Sequence, residues 1–317
     1  MGWIPESSLP AEVQKAAALL QGGGVVAFPT ETVYGLGAVA FDPRAVARIF
    51  EIKQRPFFDP LIVHVLDNAM LETVAHAPSG AARVLMERFW PGALTLVLPR
   101  RSAVPSIVTS GLETVAVRIP SHPVARALLA ATGAPLAAPS ANVFGRLSPT
   151  RASHVEAMLG GRVDLIIDGG AATLGIESTI VRCDATVTLL RAGAIPIEEI
   201  EAAIGPVAYA EPRAPVVAPG GLEHHYAPMT PLRIIEPSLV PPADRASAAV
   251  LSLEERFDGY AAQRILAPGG DLRAAAAGFF EALHELDARN VQRIDAQPLP
   301  ERDLGIAMND RLRRAAH

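Results

Sequence analysis

The chain is short of the parts on which many enzyme chemistries rest. Cys183 is its sole cysteine, so no internal disulfide can form and a reducing, cytoplasmic setting is expected. Neither C-x-x-C nor H-E-x-x-H occurs, which removes two common zinc signatures. His224 and His225 are adjacent, so an extended chain turns them to opposite faces and they cannot readily share a metal. Cys183 falls in a strand pattern and reads as core, leaving no nucleophilic triad. Basic charge is scarce too: 28 Lys and Arg stand against 33 Asp and Glu, a formal net charge of −5. A dedicated nucleic-acid binder shows the reverse balance. No run of about 18 apolar residues is free of charge or proline, so no membrane span is expected. The opening MGWIPESSLPAEVQK has neither a basic n-region nor an apolar h-region, so no secretory leader is expected. What the chain has is apolar mass. Half of its 317 residues are hydrophobic and 19% are charged, enough for sizeable cores and about two domains.

Hydrophobic periodicity divides the chain. Leu9 to Gln21 predicts a helix with Val13, Ala16, Ala17 and Leu20 on one face, stopped by Gly22-Gly23-Gly24. Val25–Phe28 is a short apolar run suited to a strand buried on both faces. Asp42-Pro43 caps a helix reaching about Lys53. Strands follow at 61–66, 93–98, 115–119 and 135–137, with helices at 81–89 and 121–132. A short helix at 153–159 has Ser153 and Glu156 at capping-box spacing. Closely spaced strands at 164–168, 178–183 and 187–193 and a helix at 196–204 complete one α/β domain over residues 8–207, with a mixed sheet. Residues 208–230 are rich in Pro and Gly and read as a linker. Residues 231–317 predict a second, smaller α/β domain. Its amphipathic helix at 272–288 places Ala276, Phe279, Phe280, Leu283 and Leu286 on one face.

Five stretches could carry chemistry. FPTETVYGLG, residues 28–37, leaves the first strand at its carboxyl end, where open α/β sheets bind ligands. Thr30 and Thr32 offer hydroxyls, Glu31 an acceptor and Tyr34 a phenol-tipped wall. Gly35 and Gly37 would let backbone N–H groups approach a ligand. An ordinary strand-to-helix turn is the plain alternative. KQRPFFDPLIVHV, residues 53–65, places Lys53 and Arg55 before a proline-bounded loop. They could hold phosphates, or simply complement a helix C-terminus. His64 alternates with Val63 and Val65 and faces away from both; alone, it reads as a core histidine. Arg118, inside the apolar strand of VAVRIPSHP, needs a partner: a ligand carboxylate or an internal Asp or Glu. APSANVFGRLSPT, residues 138–150, could line an anion pocket or be a capped turn. GIESTIVRC and LLRAG contribute Ser178, Thr179 and Arg191 at strand ends. Hydroxyls, amides, Lys and Arg without a nucleophile point to catalysis by positioning and charge stabilisation.

Taken in order, FPTETVYGLG, KQRP with DPLIVHV, FWPGALTLVL, VAVRIPSHP, PSAN with SPT, and ESTIV resemble the L-threonylcarbamoyladenylate synthase family. The resemblance spans nearly the whole chain. The tail from FFEALHELDARNVQRI to PERDLGIAMNDRLRRAA is similar to the accessory domain of the two-domain form, and HHYAP to its linker. It implies a YrdC-like twisted open mixed sheet with flanking helices, plus a smaller Rossmann-like α/β domain. It implies a cytoplasmic nucleotidyltransferase that condenses ATP, as its Mg²⁺ complex, with L-threonine and bicarbonate. The products would be threonylcarbamoyl-AMP and pyrophosphate. A tRNA threonylcarbamoyl transferase complex would consume the adenylate, leaving direct tRNA binding weak or absent.

By resemblance, Thr32, His64, Arg118, Ala138 and Ser178 line the threonine site. Lys53, Arg55, Asp59, Thr114, Ser140, Asn142, Ser148, Arg191 and Tyr226 fall on the ATP side, with Lys53 and Arg55 catalytic. The chain departs from the family pattern twice. Asp59 replaces the usual Asn beside the triphosphate, and a carboxylate about 4 Å from a phosphate is repelled by ~4 kcal/mol at an effective dielectric near 20. It must turn away, pair with Lys53 or Arg55, or bind Mg²⁺; the metal role is the expectation. Phe144 stands where a small polar residue is common and would narrow the pocket. The linker is expected to act as a lid that brings Tyr226 to the nucleotide. A carbamoyltransferase or an RNA-binding module are the rival readings; the single cysteine and the net charge of −5 argue against them.

Overall fold

The computed structural model describes residues 9–78, 80–210 and 225–316. Residues 211–224, most of the expected linker with its lid role and His224, lie outside the described residues. Helix Leu9–Gln21 buries Val13, Ala16, Ala17 and Leu20, the face its spacing required, against helix Pro123–Thr132. Asp42 accepts from the N–H groups of Arg44 at 2.9 Å and Ala45 at 3.2 Å and so caps helix Pro43–Lys53. One expected cap is absent. Helix Ala152–Leu159 starts before Ser153, with Arg151 at its N-cap and no side-chain cap. The Nδ1 atom of His154 instead reaches back to the Thr150 N–H at 3.3 Å.

The first sheet contains β1 (Val26–Phe28), β2 (Gly35–Val39), β3 (Ile62–His64), β4 (Leu94–Pro99) and β5 (Thr114–Arg118). It continues with β6 (Leu136–Ala137), β7 (Leu165–Ile166), β8 (Thr179–Cys183), β9 (Val187–Arg191) and β10 (Ala208–Tyr209). The strands lie in the order β10-β9-β8-β4-β5-β3-β6-β2-β1-β7. Pairing is mixed, as the closely spaced late strands required: β3 and β5 are parallel, whereas β4–β5 and β8–β9 are antiparallel. In the parallel pair His64 lies opposite Arg118, so two residues far apart in sequence leave the same face of the sheet side by side.

The opening motif is not the strand-to-helix turn that was its plain alternative. FPTETVYGLG joins β1 to an antiparallel β2, not to a helix, with Phe28 opposite Gly35 and Val26 opposite Gly37. The glycines therefore make room for a ring. A Cβ on Gly37 would lie 2.7 Å from Phe28 Cε1, and one on Gly35 would lie 3.3 Å from Phe28 Cζ.

Beyond residue 225, β11 (Leu232–Ile234), β12 (Ala248–Ser252), β13 (Ala262–Ile265) and β14 (Arg293–Ala296) form a second, parallel sheet in the order β11-β14-β12-β13. Helix Leu272–Asp287 buries Ala276, Phe279, Phe280, Leu283 and Leu286, the predicted face. The two sheets' layers meet directly. Gly175 takes φ +65°, and a Cβ there would come within 2.2 Å of the Ala277 carbonyl oxygen. Gly37→Ala is expected to lower unfolding free energy by about 1–3 kcal/mol through overpacking against Phe28. Urea denaturation checks this; unchanged stability would mean the ring does not need the glycine.

Candidate active site

The β1–β2 loop, the ends of β3 and β5, the loop after β6 and the start of β8 surround one cleft of about 540 Å³ of empty space. Arg118 closes β5 with its guanidinium buried. It donates to Thr32 Oγ1 at 2.8 Å and to the Gly92 carbonyl at 3.0 Å, and its Nη2 lies 2.7 Å from Glu31 Oε1. The partner of the strand arginine is thus an internal carboxylate from the opening motif. Glu31 also accepts from the Ser121 N–H at 3.0 Å. Burial would raise its carboxyl, but Arg118 and Ser121 overcome that and hold it at about 2. Nη2 of Arg118 and Oε2 of Glu31 make no aligned hydrogen bond among the described residues. The pair therefore keeps a donor and an acceptor in reserve.

His64 lines the cleft beside Arg118, while Val63 and Val65 point into the core, as the alternation required. Its ring meets Phe28 edge-on at 6.1 Å, and its buried Nδ1 has no hydrogen-bond partner among the described residues. Burial, with the charge of Arg118, pushes the imidazole down to about 3. It is neutral at any physiological pH. Ser178 shares a 2.8 Å hydrogen bond with Thr95. With Thr32 and Ala138 these complete the five expected threonine-side residues, and all five line the cleft.

The expected ATP side divides. Arg55, Ser140, Arg191 and Tyr226 line the cleft; Lys53, Asp59, Thr114, Asn142 and Ser148 do not. Lys53 stands behind the wall, donating to the Ser140 carbonyl at 2.5 Å, the Asn142 carbonyl at 2.6 Å and Asn142 Oδ1 at 3.2 Å. Its three donors are directed at the 140–142 loop, so it holds one wall of the cleft in shape. Burial, with help from Arg55, holds its ammonium well below the usual lysine range. Asn142 Nδ2 ties the same loop to the Arg146 carbonyl at 2.8 Å. Ser148 donates to Glu177 Oε1 at 2.5 Å. Thr114 begins β5 at the end away from Arg118.

Asp59 is 0% exposed and sits 2.8 Å from Arg55 Nη2. Arg55 also donates to the backbone carbonyls of Asp59 at 3.1 Å and Pro60 at 2.8 Å. Of the three outcomes open to Asp59, pairing with Arg55 is the one observed. A walled-off carboxylate already held by a guanidinium does not fit the expected Mg²⁺ role. Among the described residues no three His, Cys, Asp or Glu groups assemble to hold a metal. Phe144 flanks the pair, its ring 5.9 Å from the Arg55 guanidinium.

Two polar cleft residues are not among the sequence candidates, Glu177 and His225. Glu177 was in view in ESTIV but carried no signal of its own. In the sequence His225 is half of an adjacent histidine pair and part of HHYAP, and neither feature places it in the cleft. Its imidazole is buried and sits in the combined field of Arg55, Lys53, Arg191 and Arg311; burial first and those charges next hold it well below the usual histidine range. Tyr226 beside it takes φ 64°, a left-handed conformation costing about 1–2 kcal/mol. The Ala227 N–H bond to the Gly145 carbonyl, 2.8 Å, helps hold it there. Tyr34 contributes its ring to the cleft, while its hydroxyl donates outward to the Gly170 carbonyl at 2.6 Å.

Comparison with known proteins decides what this architecture is. A family model described as "Telomere recombination" matches residues 18–193, and one described as "Threonylcarbamoyl-AMP synthase, C-terminal domain" matches 195–317. The threonylcarbamoyl-AMP synthase of Bacillus subtilis (strain 168) is 44% identical over 321 residues, 96% of this chain and 93% of that protein. This chain belongs to the threonylcarbamoyl-AMP synthase family. The family member from Pyrococcus abyssi is 40% identical over 96% of this chain and 94% of its own length. The crystal structure of P. abyssi Sua5 complexed with L-threonine superposes with a TM-score of 0.91, at 38% identity, covering 97% of this chain and 94% of that one. Full-length HypF shares only the fold of part of the chain, at 19% identity and a TM-score of 0.52.

The depressed Glu31 carboxyl makes the buried Glu31–Arg118 pair testable at the level of stability. Its contribution, about 3 kcal/mol for a fall from 4.5 to about 2, is complete above pH 4.5 and lost as pH drops toward 2. Glu31→Gln should start less stable at neutral pH and lose less stability over that acid window. Parallel acid-titration curves for the two proteins would contradict the buried pair.

Proposed function

We propose that this chain is a threonylcarbamoyl-AMP synthase, joining L-threonine, bicarbonate and ATP into threonylcarbamoyl-adenylate with release of pyrophosphate. The observation that carries the proposal is one cleft with two chemically distinct sides. Arg118, neutral His64, Thr32 and Ser178 make one side; Arg55, Arg191, Ser140 and Tyr226 belong to the other.

The amino acid's carboxylate pairs with the reserve donor on Arg118. His64 does not compete for it, because the imidazole carries no charge. Its unpartnered Nδ1 offers a hydrogen bond to the amino acid. Threonine is bound beside Glu31, whose charge both orients Arg118 and favours a cationic amine on arrival. The deprotonated amine attacks bicarbonate, forming an N–C bond and expelling water. A carbamate oxygen then attacks the α-phosphorus, and the bond to the β-phosphate bridging oxygen breaks to release pyrophosphate. Each species is anionic, so the chain's part is to hold cations where charge gathers. Arg55 and Arg191 supply them, each lowered from the ordinary guanidinium range by burial first and then by like charge nearby. Arg55 is held by Asp59 and Arg191 by the Ser178 carbonyl, and two such cations on one wall favour a polyanion. ATP enters as its Mg²⁺ complex, with the ion on the nucleotide's phosphates and not on Asp59. No protein nucleophile is needed.

The adenylate would pass to a tRNA threonylcarbamoyl transferase complex. The net charge of −5 favours that hand-off over direct tRNA binding. Pyrophosphate release from Mg-ATP should require both threonine and bicarbonate; release without threonine would discard the proposal. Arg118→Met should raise the KM for threonine about 100-fold, the range for losing one partner of a buried ion pair, with the ATP KM changed far less. Asp59→Asn should leave the Mg²⁺ dependence unaltered, measured by the same release assay over a magnesium titration.

A further inference from the structure

The largest fully buried side chain of the described residues belongs to neither the cleft nor its own sheet. Arg311, in helix Leu304–Ala315 of the second domain, is 0% exposed. Its partners lie across the domain boundary. Its Nε donates to Glu177 Oε2 at 3.0 Å, and its Nη1 donates to the Ala192 carbonyl at 2.7 Å. Its guanidinium carbon lies 5.2 Å from the centre of the Tyr226 ring. Glu177 and Tyr226 line the cleft, and Ala192 follows Arg191, which also lines it. One guanidinium therefore grips three pieces of the same wall from behind. Nη1 adds Asp310 of the same helix at 3.0 Å.

The opposite oxygen of Glu177 accepts from Ser148, and the Ser148 carbonyl lies 3.1 Å from His284 Nε2 of the second domain. The carboxylate is thus fixed at both ends, once by each domain. The same helix reaches the linker side as well: the His225 N–H donates to the Arg314 carbonyl at 3.3 Å, next to the strained Tyr226.

We infer that Arg311 is a positioning residue for the nucleotide side of the cleft, so that the second domain completes the ATP site without touching ATP. The inference rests on the adenylation reading given above. Arg311 balances the charge of Glu177 and supports the face of Tyr226. Without it, an uncompensated carboxylate faces the zone where Arg55 and Arg191 would meet phosphates. That raises the cost of a polyanion far more than that of a zwitterionic amino acid.

The test is pyrophosphate release with ATP and threonine varied separately. Arg311→Met should raise the ATP KM about tenfold and change the threonine KM less than about twofold. Adding Glu177→Gln to Arg311→Met removes the stranded charge and should restore most of the lost ATP affinity. Arg311→Lys keeps the charge and loses the fork, so the ATP KM should rise about threefold. Should Arg311→Met fail to fold by thermal melting, the lysine variant and the double variant decide. A purely structural arginine would lower the active fraction, and hence kcat, leaving both KM values at wild type. That pattern in any of the folded variants overturns the role of Arg311. Wild-type protein that releases no pyrophosphate overturns the adenylation reading instead.

Discussion

Burying a guanidinium is costly unless a partner meets it, and four of them surround this cleft. Arg55, Arg118, Arg191 and Arg311 are all buried, with Lys53 among them. Three buried carboxylates answer: Glu31 to Arg118, Asp59 to Arg55 and Glu177 to Arg311. Backbone carbonyls of Gly92, Pro60, Ser178 and Ala192 accept further donors from them. This shortfall of negative charge dictates much of the local fold. Each cation needs a segment turned so that its carbonyls point inward, and those segments are the walls of the cleft.

Seen this way, the division between the two sides of the cleft is electrostatic. On one side the arginine is matched by a carboxylate that stays ionised, and the neighbouring imidazole stays neutral. Such a site suits a molecule bearing both charges. On the other side several cations gather, each lowered first by burial, which suits a ligand that brings negative charge of its own. Lys53 serves both by holding the 140–142 loop in place, much as a metal ion would gather carbonyl oxygens.

The sequence made some of this legible and hid the rest for reasons of distance. The buried position of Arg118 followed from its apolar neighbours, but its pairing with Glu31 did not, because β3, β6 and β2 lie between β5 and β1 in the sheet. The alternation of His64 with two valines placed it on the cleft face. Helix faces were read correctly because they depend on local spacing alone. Gly37 misled because a glycine shaped by a ring across a hairpin looks the same in sequence as one shaped by a ligand. The internal partners of Lys53 and Asp59 were hidden because a cation or carboxylate near a predicted phosphate site can also be held from within, and no local pattern announces that. The Glu177–Arg311 pair was out of reach. Its members are 134 residues apart, in different domains, and neither sits in a motif that names the other.

That separation has a consequence for the chain as it is made. A ribosome adding about 5–20 residues per second delivers Arg311 on the order of ten seconds after Glu177. In the later part of that interval, once β8, β9 and β10 have followed Glu177, the first domain can pair its strands and Arg118, yet one wall carries a bare carboxylate behind it. The nascent first domain is thus a different electrostatic object from the finished one, and the last helix to dock sets the sign of the cleft's inner wall.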